Sequence, residues 1–329
     1  MKALPKFLIL IAVSCIIYLF FGWVFYKSFN PTFPTPSNPT VIYSNQQRDD
    51  LRWLFYKSIK EAKKSVDIVM FGMTESSILH ILAKKAKTIP VTVYYDAKNS
   101  LALKKIIPNI KAFPVEKSAF MHQKIMVIDK KMVFIGSANF TTSSLNMHDN
   151  LIIGFHSPKI AKFILEKSPN HNGYLSTLHA GKNLEFWLLP DPRGNGLNAI
   201  LKALRKAKKS IKIAIFTFTH PGIVQELALA KKRGVKVDVT IDFGASLGIS
   251  SKVIKLLKNE KINVLVSQGS QLLHHKFILI DDKTLITGSA NLTKAAFYKN
   301  HDCFLIMQLN GTQKKFMEEL WNKVISESN

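Results

Sequence analysis

The sequence predicts an α/β fold of two tandem lobes behind a single apolar N-terminal helix. Residues 58–74, SIKEAKKSVDIVMFGMT, recur as residues 203–219, ALRKAKKSIKIAIFTFT, 145 positions later. VTVYYD, ending at Asp96, recurs as VDVTID, ending at Asp242, at a spacing of 146. Each copy runs amphipathic helix, short apolar strand, second helix, second strand. Helices alternating with apolar strands imply sheets covered by helices. The 329 residues leave room for two such units.

Composition narrows the class. Hydrophobic residues make up 47% of the chain, with 15 Gly and 13 Pro, which excludes a low-complexity or disordered chain. With 46 Lys+Arg against 22 Asp+Glu the net charge is +24, so the surface attracts polyanions: nucleic acid, anionic bilayers or phosphorylated molecules. The two cysteines, Cys15 and Cys303, give neither a disulfide framework nor a cysteine zinc site, because Cys15 lies in the apolar N-terminal run.

From the N-terminus, residues 7–26 carry no charge. Twenty helical residues at ~1.5 Å each span a hydrocarbon core of ~30 Å. The run is longer than the apolar region of a cleaved signal and lacks its small-residue cleavage site, so residues 1–27 are expected to be an uncleaved membrane anchor. Lys2 and Lys6 precede it and Lys27 follows, which directs the lobes out of the cytoplasm. Residues 28–40, SFNPTFPTPSNPT, hold four prolines and suit an extended stalk. Without residues 1–40, which carry Lys2, Lys6 and Lys27 and no acid, the body keeps +21. Lobe one is expected over 41–183 and lobe two over 184–329.

The third repeated block carries the chemistry. MHQKIMVIDKKMVFIGSANFT recurs as LHHKFILIDDKTLITGSANLT at a constant spacing of 152, pairing His122 with His274, Lys124 with Lys276, Asp129 with Asp281, Ser137 with Ser289 and Asn139 with Asn291. The apolar residues after each histidine read as a strand, in which positions i and i+2 share a face, so His and Lys project together. The Gly-Ser-x-Asn turn can offer a hydroxyl, an amide and backbone N–H groups to a phosphate oxygen. Two ammonium groups beside the histidines, with no neighbouring carboxylate or cysteine cluster, argue against a metal, and none is expected.

These blocks resemble the phospholipase D superfamily, whose signature is H-x-K-x4-D followed by G-S-x-N. Both copies match at every signature position, and with their flanking strands they cover nearly all of residues 41–329. The resemblance implies two helix-covered mixed sheets related by a pseudo-two-fold axis, with two His, two Lys and two Asn meeting at one phosphodiester. It implies a phosphohistidine mechanism without cofactor, His122 as nucleophile and His274 as general acid, with Ser137, Asn139, Ser289 and Asn291 binding phosphate. Acids follow each copy in NMHD, ending at Asp149, and KNHD, ending at Asp302; by resemblance these orient the imidazoles, at a spacing that has grown to 153. Asp129 and Asp281, at the strand ends, suit a structural hydrogen-bonding role better than phosphate contact. His148, His301, His220 and Glu75 are secondary candidates near the cleft. An anchor with a basic body favours a phospholipid substrate. The alternative is a membrane-tethered nuclease. A cardiolipin synthase-like transferase is disfavoured because such enzymes usually carry two N-terminal spans, and an inert scaffold because both motifs are complete. No obligate protein partner is implied.

Overall fold

The computed structural model describes residues 6–116, 119–269 and 271–329 in two compact units, residues 1–33 and Pro34–Asn329. Lys2, which enters the orientation argument, lies outside them. The first unit holds the helix Lys6–Phe29. Its residues Phe7–Val24, of mean hydropathy 2.6, are the one stretch among the described residues long and apolar enough to cross a bilayer.

The second unit is built on two mixed sheets. In its first half the strands are β1 (Thr40–Tyr43), β2 (Val66–Met70), β3 (Val91–Asp96), β4 (Lys111–Val115), β5 (Lys124–Ile128), β6 (Met132–Gly136), β7 (His148–Asp149) and β8 (Ile152–His156). The second half has β9 (Gly173–His179), β10 (Lys182–Leu188), β11 (Ser210–Ile215), β12 (Lys236–Ile241), β13 (Asn263–Val266), β14 (Leu272–Leu273), β15 (Lys276–Ile280), β16 (Thr284–Gly288) and β17 (Cys303–Gln308). One sheet has the order β1-β8-β6-β5-β2-β3-β4 and the other β13-β12-β11-β15-β16-β17-β10-β9. In both, the repeated strands pair in parallel (β2 with β3, β11 with β12), and the strand that opens on the motif lysine pairs antiparallel to the first of them (β5 with β2, β15 with β11). The duplication read from sequence is thus a duplication of topology.

Two details shift the expected boundaries. The last residues of the proline-rich stretch belong to the fold, since His156 N donates to Pro39 O at 2.9 Å and Thr40 opens β1. β9, within the stretch expected to close lobe one, hydrogen-bonds along β10 in the second sheet. A hairpin of two long strands completes its ladder only beside a partner, and β17 supplies it.

β5 and β15 are buried on both faces, as near-continuous apolar runs must be. Helices Leu51–Glu61 and Asn195–Arg205 cover equivalent positions in the two repeats. Between the sheets lies one shared core that includes Ile125, Ile135 and Phe155 from the first and Phe186, Phe277 and Leu305 from the second. The two-stranded sheet β7–β14 adds a backbone link, pairing His148 with Leu272 and Asp149 with Leu273. Phe186 is 1% exposed and meets Phe163 of the first half edge-on at 5.9 Å. Phe186→Ala should therefore cost about 3–5 kcal/mol, read as a lowered urea midpoint of the full-length chain in detergent with loss of both halves in one transition.

Candidate active site

Each half delivers its histidine and lysine from the start of the equivalent strand. Lys124 Nζ donates to His122 O at 2.8 Å and Lys276 Nζ to His274 O at 3.1 Å, so each ammonium is tied to its own histidine. The ring beneath each pair is a phenylalanine at the end of the neighbouring repeated strand. Lys124 Nζ lies 4.9 Å from the Phe71 centroid and His122 5.0 Å from the same ring; Lys276 lies 5.3 Å and His274 5.2 Å from Phe216. A cation over an aromatic face is attracted by the ring quadrupole, which holds a buried ammonium without neutralising it. Phe71 and Phe216 were not singled out from sequence, although the 145-residue repeat superposes them.

The halves meet through the backbone beside these residues. His122 N donates to His301 O at 2.8 Å, and His274 N donates to Asp149 O at 3.0 Å. These two bonds are equivalents 152 positions apart, so His301 is the counterpart of Asp149. One step on, Asp302 is the counterpart of Asn150.

The side chains follow that register. His122 Nδ1 donates to Asp302 Oδ1 at 2.8 Å, across the halves. His274 Nδ1 donates to Asn150 Oδ1 at 2.9 Å, again across the halves. The expectation that Asp149 orients His274 is therefore corrected, along with the spacing of 153 on which it rested: the loops are of equal length, and the repeated His-Asp dipeptide is out of register by one residue. Asp149 is buried beside Glu327 and Lys323, and burial first, then Glu327, pushes its carboxyl up to about 7. The true register was countable, since Asn150 follows Ser137 by the same 13 residues by which Asp302 follows Ser289.

Ser137 and Ser289 are also corrected, from phosphate ligands to supports. Both are fully buried. Ser137 Oγ accepts from Leu151 N at 3.1 Å and donates to Asn150 Oδ1 at 2.8 Å; Ser289 Oγ accepts from Cys303 N at 3.0 Å and donates to Asp302 Oδ1 at 2.7 Å. The glycine before each serine is required by close approach: an added Cβ would lie 2.1 Å from Leu151 O at Gly136 and 2.3 Å from Cys303 O at Gly288. Asn291 Oδ1 accepts from Thr217 N at 3.3 Å, leaving its Nδ2 to donate, and Asn139 Oδ1 is buried with no partner.

Asp129 and Asp281 lie at the other ends of β5 and β15, about 17 Å along the strand from the lysines at ~3.3 Å per residue. Their carboxylates accept from the backbone N–H groups of Lys63, Lys64 and Ser65, and of Lys208, Lys209 and Ser210. They close the turn into the neighbouring strand and take no part in the cluster of histidines. Among the secondary candidates, the His148 ring lies 5.7 Å from His274. His301 Nδ1 binds Pro169 O at 2.8 Å, Glu75 accepts from Thr142 and Ser77, and His220 packs edge-on against Phe297.

The electrostatics are those of a cationic nest. Burial pushes Lys124 down to about 7 against the pull of Asp302, and burial with the charge of Lys124 pushes Lys276 well down. His274 is driven far below the usual imidazole range by burial, Lys276, Lys124, His122 and His148. His122 is lowered by burial and Lys124, less the opposing effect of Asp302. Burial resists ionisation of Asp302, but His122, Lys124 and Ser289 outweigh it and hold the carboxyl below the usual range. Asp302, with Asp96 acting on Lys124 and Asp242 on Lys276, only partly offsets the burial that drives both lysines towards their neutral forms, and an added anion would favour their charged forms. Among the described residues no group of three or more His, Cys, Asp or Glu is arranged to hold a metal ion.

The family described as "Cardiolipin synthase, PLD-like domain" matches residues 55–167 and 200–324, one match in each half, and the chain belongs to this branch of the phospholipase D superfamily. Mitochondrial cardiolipin hydrolase of Mus musculus is 34% identical over 38% of this chain and 56% of the relative. A phospholipase D of Rickettsia typhi is 30% identical over 39% of this chain and 63% of its own length. The chain thus spans about half the length of the first curated relatives it matches. The solved phosphatidylserine synthase of Haemophilus influenzae Rd KW20 superposes with a TM-score of 0.71 over 90% of this chain and 88% of its own, at 14% identity, a likeness of fold.

Proposed function

We propose that the chain is a membrane-anchored phosphodiesterase that hydrolyses a phospholipid phosphodiester through a phosphohistidine. The observation that carries this reading is the convergence of His122, His274, Lys124 and Lys276 from both halves, with Asp302 bonded to His122 and acting on both lysines. In the first step the bound diester anion offsets the lysine charges and lets His274 hold a proton on Nε2; the His122 Nε2 lone pair attacks phosphorus, the bond to the leaving oxygen breaks, and His274 Nε2 gives that oxygen its proton. In the second step His274, now neutral, takes a proton from water. The hydroxide attacks phosphorus, the P–N bond breaks, and His122 regains its lone pair. Lys124 and Lys276, with the amides of Asn139 and Asn291, offset the charge on the non-bridging oxygens through both transition states.

A lipid substrate is supported by the helix Lys6–Phe29, by the net charge of +24 and by the names of the curated relatives, a cardiolipin hydrolase and a phospholipase D. It is also supported by Phe243, Leu247 and Ile249, each more than half exposed in the segment after β12. That segment borders the site, because Ser250, which ends it, bonds Phe218 N just beyond Phe216. The amino terminus, Lys2 and Lys6 before the span outweigh Lys27 after it, and the body is proposed to lie outside the cytoplasm.

The test offers the full-length chain, in detergent with EDTA, labelled phosphatidylcholine, cardiolipin, and single- and double-stranded DNA side by side. The expected result is headgroup or phosphatidate release at least tenfold faster than DNA cleavage and unaffected by the chelator. The reverse ratio would make the chain a membrane-tethered nuclease with the same site. Loss of activity on chelation, restored by a divalent cation, would contradict charge stabilisation by the lysines.

A further inference from the structure

The two histidines are near-equivalents in backbone, lysine partner and supporting aromatic ring, yet they differ in what holds Nδ1. Behind His122 is a carboxylate. Asp302 Oδ1 also accepts from Ser289 Oγ, whose own acceptor capacity is used by Cys303 N, so every proton in the group is placed. Behind His274 is a neutral carboxamide whose orientation is equally determined. Asn150 Nδ2 donates to Ser144 O at 2.7 Å and His148 O at 3.0 Å, which leaves Oδ1 as the acceptor for Ser137 Oγ and for the His274 Nδ1–H. Both imidazoles therefore present Nε2 to the substrate, and one difference in charge separates them.

That difference maps onto what the two steps demand. A nucleophilic imidazole gains positive charge as the P–N bond forms, and a carboxylate at Nδ1 stabilises that charge. A proton donor must give its proton away, and a carboxylate at Nδ1 would hold the imidazolium back, whereas a carboxamide orients it without adding negative charge. Resting on the phosphohistidine reading above, we propose that the Asp302–Asn150 difference divides the roles. Asp302 makes His122 the nucleophile, and Asn150 is a positioning residue that keeps His274 an efficient donor. The other charged groups do not distinguish the two rings in this way. His274 is faced by Lys276 on its own strand, by Lys124 and His122 from the first half and by His148; His122 is faced by Lys124, Lys276 and Asp302.

Asn150→Asp and Asp302→Asn test the division in the full-length chain in detergent, with bis(4-nitrophenyl) phosphate, whose leaving group needs no proton, as the first-step probe. In histidine-labelled protein with tungstate present as a phosphate mimic, Asn150→Asp should raise the NMR titration midpoint of His274 by at least about one unit, as expected when a carboxylate joins an imidazole. The nitrophenolate burst of the first step is the second readout. Asp302→Asn should slow that burst at least about 100-fold. An unmoved His274 midpoint in folded Asn150→Asp, or an undiminished burst in Asp302→Asn, overturns the proposal. The new carboxylate would face Ser144 O and His148 O and could unfold the loop. In that event the Asp302→Asn burst alone decides, a 100-fold loss supporting the division and an unchanged burst ending it. Failure of the unmodified chain to release nitrophenolate or to cleave any diester would instead remove the phosphodiesterase reading itself.

Discussion

His122→Asn is expected to abolish turnover of every diester, a loss of about 10⁴-fold or more, because removing a covalent nucleophile leaves only binding and electrostatics. His274→Asn should behave differently. With an alkoxide leaving group the loss should be about 10²–10⁴-fold, the usual worth of a positioned acid. With a nitrophenyl diester the first step should survive, because nitrophenolate departs without a proton. The second step still lacks its base, so this variant should release one equivalent of nitrophenolate in a burst and then stall. Stopped-flow absorbance distinguishes the two variants: no burst from His122→Asn, and a full burst with slow turnover from His274→Asn. The asymmetry follows from the hydrogen bond of each Nδ1, to Asp302 in one case and Asn150 in the other.

The second large effect concerns charge. Lys276→Met should lower kcat about 10²–10³-fold with a smaller change in KM, since the ammonium acts most strongly on the oxygens that gain charge in the transition state. A related signature belongs to Lys124, which burial holds near 7 in the free protein. An anion bound beside it favours the charged form and raises its pKa, so tungstate binding should take up protons between about pH 7 and the ordinary lysine range near 10.4. Calorimetric titration in two buffers of different ionisation enthalpy reads that uptake, and Lys124→Met should reduce it, leaving the share that belongs to Lys276.

Much of this molecule is legible in its sequence because duplication repeats every signal. The helix–strand alternation, the 145-residue and 152-residue spacings and both His-x-Lys motifs lead to two mixed sheets with His122, Lys124, His274 and Lys276 at equivalent strand starts. The orienting residue is not legible in the same way, for a physical reason. His-Asp at 148–149 and His-Asp at 301–302 look alike as text, but register is set by the backbone ladder, in which Ser137 N bonds Leu151 O just as Ser289 N bonds Cys303 O. A ladder equivalence outranks an identical dipeptide, and it exchanges Asp149 for Asn150. Ser137 and Ser289 were misplaced similarly: a motif says which residues travel together, while only the three-dimensional neighbours show that their hydroxyls serve Asn150 and Asp302. The aromatic supports Phe71 and Phe216 lay inside the repeat but looked like ordinary core positions, since nothing local shows that a lysine two strands' worth of sequence away lies over the ring.

Phosphate is expected to become covalently attached to His122 during turnover. The most direct measurement traps His274→Asn with a labelled nitrophenyl diester, quenches in base, digests the protein and locates the label by mass spectrometry. The expected product is an acid-labile, base-stable adduct on the peptide carrying His122. Phosphate on any other residue, or a full burst of nitrophenolate with no adduct, would contradict it.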